Sequence, residues 1–99
     1  MTGSYSEYAA IFKALSDETR LHIFSMLSDK EICGCHILRK VEITQPTLSY
    51  HMKLLCDCGL VKGRKDGSWM RYTLNVDKVS QVQSFLEAIK EPYKHKSGC

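Results

Sequence analysis

Apolar side chains return every three or four residues through most of the chain, and each such run predicts an amphipathic helix. Tyr8, Ile11, Phe12 and Leu15 mark the first, over about residues 6–15. The segment SDETRLHIFSML opens with Ser16 or Asp17 as N-cap and puts acids in its first turn, where the positive end of a helix favours them. Its apolar stripe is Leu21, Phe24 and Leu27. A short third helix is expected from about Cys33 to Lys40, turning Ile37, Leu38 and Val41 inward. A fourth runs from about Gln45 to Cys58, capped by Thr44, with Pro46 tolerated in its first turn. Gly59 suits the left-handed residue that ends it.

The period then changes. In LVKGRKDGSWMRYTL, Asp66-Gly67 is a two-residue turn signal between strand-forming residues. It predicts a hairpin that pairs Arg64 with Trp69 and Lys62 with Arg71. One face carries Lys62, Arg64, Trp69 and Arg71, the other Val61, Met70 and Tyr72. A last helix from Asp77 aligns Val79, Val82, Phe85, Leu86 and Ile89, and Pro92 ends it. The tail from about residue 93, YKHKSGC, is expected to be flexible. The order is four helices, a hairpin and a helix: a mainly α single domain over residues 1–99. Two helices joined by a short turn and followed by a basic hairpin spell a winged helix-turn-helix.

Composition narrows the setting. Hydrophobic residues at 43% and charged residues at 25% are ordinary globular values. No apolar run approaches the roughly 20 residues of a membrane span, and MTGSYSEY is not a signal peptide. A cytoplasmic protein without a membrane partner is therefore expected, with its thiols reduced. The five cysteines, Cys33, Cys35, Cys56, Cys58 and Cys99, are odd in number and unevenly placed, which argues against a disulfide framework. A net charge of +3 permits a polyanionic partner without requiring one.

The fourth helix makes that partner double-stranded DNA. Leu48, Met52 and Leu55 form its inward stripe, leaving Gln45, Thr47, Ser49, Tyr50 and Lys53 exposed along its N-terminal half. These side chains can reach base edges and phosphates, and no acid stands among them to repel DNA. On the hairpin, Lys62, Arg64 and Arg71 would meet phosphates, and like charges opposed across strands call for an anion to neutralise them.

ITQPTLSYHMKLL followed by CGLVKGRKDGSWMRYTL closely resembles the ArsR/SmtB family of metal-responsive winged-helix repressors. The likeness runs from about residue 7 to 90 and is strongest over 16–28 and 42–74. EICGCHI resembles the arsenic-sensing branch, whose ligands form a Cys-x-Cys at the start of the helix before the recognition helix. The resemblance implies a homodimer through the first and last helices, bound to a palindromic operator and released by its ligand.

The Cys-Gly-Cys has its own physics. Residues i and i+2 of a regular helix point about 200° apart. Two thiolates sharing one ion at bonds near 2.3 Å must come within roughly 4 Å of each other. The helix must therefore start irregularly at Cys33–Cys35, or deform when an ion binds, and Gly34 lowers the cost. An all-sulfur site of low coordination suits As(III) or Sb(III) as effector, with no resident cofactor needed.

Two thiolates and His36 fall short of a four-ligand zinc site. The third arsenic ligand stays open among Cys99, Cys58, Cys56, an exogenous thiol or hydroxide, and a methylated arsenical would need only two. Leu38 stands where some relatives carry a further cysteine. Cys58 matches a position that other members use, with a tail cysteine, for cadmium or lead, but Leu54 replaces its companion. The zinc position of further relatives is filled by Val79. Alternatives of the same fold are thus a cadmium- or lead-responsive repressor and a thiol-redox repressor. His51 reads as a packing or phosphate-contact residue. An enzyme is not expected, since no glycine-rich loop follows a strand to activate a thiol.

Overall fold

The computed structural model describes residues 3–92. The expected flexible tail, with His95 and Cys99, lies outside them. Helix α1 is Tyr5–Ala14, α2 Glu18–Ser25, α3 Gly34–Lys40, α4 Gln45–Asp57 and α5 Val76–Lys90. The strands are β1 Ile32–Cys33, β2 Val61–Asp66 and β3 Trp69–Leu74, forming an antiparallel sheet of order β1-β3-β2. This is the expected winged helix-turn-helix with one addition. The two-residue β1 has no periodicity to betray it and became visible only through its pairing with β3.

Helix boundaries follow the caps. Ser4 and Glu7 form a reciprocal capping box on α1, and Asp17 caps α2 by accepting from the Arg20 N–H at 3.0 Å. Thr44 caps α4 through the Thr47 N–H, Asn75 caps α5, and Gly59 ends α4 at φ +89°. The core joins α1 to α4 and the sheet through Ile11, Ile23, Ile37, Met52, Leu55 and Leu60, all fully buried.

Two sequence expectations shift. In α2 the buried residue is Ile23, while Leu21 is exposed. Arg20 sets that rotation, because its side chain turns inward to donate to the Ala14 carbonyl at 2.6 Å and to meet His51. The hairpin register also moves by two residues. Asp66 pairs with Trp69, Arg64 with Arg71, and Lys62 with Thr73, so the turn is Gly67-Ser68. Gly67 takes the positive φ of +64° that the tight turn demands, and Asp66 stays in the strand, bonded to Arg71. A shift of two preserves the faces, since side chains alternate with period two.

Candidate DNA interface and thiol site

Helix α4 meets the DNA-reading expectation in its exposure. Leu48, Met52 and Leu55 are buried, whereas Gln45, Thr47, Ser49, Tyr50 and Lys53 all face solvent. Thr44 does more than cap, since its hydroxyl donates to the Thr47 hydroxyl at 2.9 Å and so orients one of these groups. Lys53 is held back along the helix by Asp57 at 2.9 Å, a partner that raises its pKa. His51 is only 8% exposed, with Nδ1 3.0 Å from Arg20 Nη1. A guanidinium can only donate, so that ring nitrogen is the acceptor. His51 is therefore a packing residue, and Arg20 ties α1, α2 and α4 together.

The wing departs from the expected electrostatics. Arg64 and Arg71 face each other across β2 and β3, and protein carboxylates neutralise both. Glu31 accepts a two-pronged hydrogen bond from Arg64, Nε and Nη2 each at 2.7 Å, and Asp66 accepts from Arg71 Nε at 2.6 Å. Each acid is held below its ordinary pKa, chiefly by its arginine hydrogen bond, and Glu31 pushes Arg64 up. Sequence reasoning missed Glu31, because its partner lies 33 positions away and no local spacing signals the contact.

Cys33 and Cys35 come together. Cys33 is the N-cap of α3, in extended conformation at φ −71° and ψ 140°, and only Gly34 onward is helical. That irregular start lets the two side chains converge: their Cα atoms lie 5.1 Å apart and the sulfurs form a disulfide. Cys33 Sγ also accepts the Cys35 N–H at 3.2 Å, taking the place of a capping hydroxyl. Gly34 keeps a negative φ. A Cβ there would sit 3.5–3.6 Å from the Met70 carbonyl, Leu48 and Tyr72, which is ordinary contact. Neither the backbone angles nor the space around Gly34 in this structure calls for glycine.

The second Cys-x-Cys does not make a shared site. Cys56 lines a groove of about 240 Å³ with Ser49, Met70 and Tyr72. Cys58 lines a separate cleft with Ala10, Lys13 and Tyr50, and donates to the Leu55 carbonyl at 3.3 Å. Burial raises the pKa of both thiols, which disfavours the thiolate that a metal needs. Among the described residues, no three His, Cys, Asp or Glu side chains converge to hold a metal ion, and no helix is long and apolar enough to cross a membrane.

Comparison with known proteins agrees with this architecture. Residues 17–62 match the model of the bacterial regulatory proteins of the arsR family. An arsenical resistance operon repressor of Staphylococcus xylosus is 43% identical over 87% of this chain and 83% of its own length. A second protein of that description, from Staphylococcus aureus, is 50% identical over 73% of this chain and 69% of its own. Among solved structures, an ArsR-like transcriptional regulator from Rhodococcus sp. RHA1 superposes with a TM-score of 0.74 at 30% identity, covering 87% of this chain and 81% of that one. With its winged helix-turn-helix, this chain belongs to the arsR family of DNA-binding transcriptional repressors, which are regulators and not enzymes.

Proposed function

We propose that the chain is a homodimeric repressor that leaves a palindromic operator when trivalent arsenic or antimony engages Cys33 and Cys35. The observation that carries this reading is the convergence of those two side chains at the irregular start of α3, the helix that precedes the recognition helix. Two thiols condense with arsenous acid to give two sulfur–arsenic bonds and two waters, leaving one hydroxide or an added thiol as third ligand. Soft thiolates favour this over magnesium or calcium. The arsenical resistance repressors at 43% and 50% identity support the same effector class.

On the operator, Gln45, Thr47, Ser49 and Tyr50 would read the groove, while Lys53, Lys62, Arg64 and Arg71 would hold phosphates. Dimerisation through α1 and α5 is supported by apolar groups left outside the single-chain core. Leu86 is 49% and Ile89 63% exposed on α5, and Phe12 and Tyr5 are exposed on α1. Phe85 stacks on Tyr8 with ring centroids 4.3 Å apart, so the two helices present that surface together.

The disulfide favours a second reading, in which oxidation of the same pair is itself the signal. Reduced protein separates the two. If arsenite is the effector, it protects two thiols per chain from alkylation, and Cys33→Ser abolishes both the protection and the operator release. Release that persists in Cys33→Ser would refute the site.

A further inference from the structure

The five residues from Glu31 to Cys35 touch both strands of the wing. Through the backbone, Ile32 and Cys33 pair with Tyr72 and Arg71 of β3. Through a side chain, Glu31 reaches beyond β3 and grips Arg64 of β2 with two hydrogen bonds of 2.7 Å. A two-pronged carboxylate–guanidinium contact fixes orientation as well as distance, so a shift of Glu31 biases where Arg64 sits. The acid stands two residues before the first thiol of the Cys-Gly-Cys and fixes the direction of a guanidinium that, more than half exposed, can still meet a phosphate. Asp66 is the natural contrast. It neutralises Arg71 through a single hydrogen bond at 2.6 Å, and it belongs to the wing itself, outside the segment that carries the thiols.

We propose that Glu31 is a positioning residue that transmits the state of the Cys33–Cys35 pair to the wing by holding Arg64. The inference rests on the reading of that pair as the effector site. When the segment rearranges around an ion, Glu31 moves with it, and Arg64 is drawn out of register with the operator backbone. A carboxylate that merely balanced two opposed arginines would stabilise the hairpin and leave the response to ligand untouched.

The test compares wild type with Glu31→Gln and Asp66→Asn, each reduced and shown to melt cooperatively. Operator affinity is measured against salt, with and without arsenite, and arsenite binding is followed separately by thiol protection. Both variants remove a carboxylate beside a phosphate-facing guanidinium, so both should bind unliganded operator more tightly, with a log–log salt slope steeper by at most about 0.9. Asp66→Asn keeps the wild-type release factor, which for couplings of the usual size is about 5- to 150-fold. Glu31→Gln binds arsenite fully yet lets that factor fall towards one. Wild-type release in Glu31→Gln, or an equal loss in Asp66→Asn, overturns the role of Glu31 alone. A wild-type protein indifferent to arsenite overturns the effector reading and the proposal with it.

Discussion

Leu55 shows how one side chain joins structure to function. It is fully buried on the inner face of α4, on the helix whose outer face carries Thr47, Tyr50 and Lys53. Leu55→Ala removes packed methyl groups and leaves a cavity, an expected loss of about 2–5 kcal/mol in thermal or denaturant unfolding. A loss under 1 kcal/mol would mean that the recognition helix is not seated through this stripe. The inner and outer residues of α4 were legible in the sequence because a 3.6-residue period separates them without tertiary information. Glu31 and Arg20 were not legible. Each acts on a partner more than 30 positions distant, and a charge with no local partner reads as solvated surface.

At the scale of elements, the start of α3 is joined to the wing by the pairing of β1 with β3 and by the Glu31–Arg64 contact. The alternation of LVKGRKDGSWMRYTL predicted the hairpin and the makeup of its faces, but the turn was placed one residue early. Asp-Gly and Gly-Ser both suit a tight turn, and the Asp66–Arg71 contact favours the second. The strand β1 is too short to carry a period at all. The joined elements also have a pH signature. Glu31 and Asp66 have depressed pKa values in the folded chain, so their stabilising pairs are fully present above the ordinary carboxylate values and are lost as pH falls through the depressed ones. The wing should hold one geometry from neutral pH down to about 4. Carbon-detected NMR titration should place the Glu31 and Asp66 midpoints below about 4.3 and 3.9 respectively. Midpoints at or above those values would mean that the arginine pairs do not form in solution.

For the whole molecule, the surface left over is as informative as the core. None of the described side chains of α5 is fully buried, although the helix spans 15 residues and carries an apolar stripe. The sequence displayed that stripe but could not say whether one chain or two would cover it, because periodicity marks a face and not its partner. If a second copy covers it, Ile89→Glu places charge in the interface and should yield monomers in analytical ultracentrifugation, with operator affinity lowered at least about tenfold. A dimer that survives Ile89→Glu would place the interface elsewhere.

The central claim is that the Cys33–Cys35 pair converts a metalloid into operator release. Fluorescence anisotropy of a labelled duplex from upstream of the protein's own gene tests it most directly, with reduced protein at fixed salt. Arsenite, zinc, cadmium and hydrogen peroxide are added in separate titrations. Arsenite should lower operator affinity by about 5- to 150-fold, zinc and cadmium should not, and Cys33→Ser should hold the duplex through the arsenite titration. Tight binding by the wild type that persists through arsenite, or release by cadmium alone, would contradict that claim.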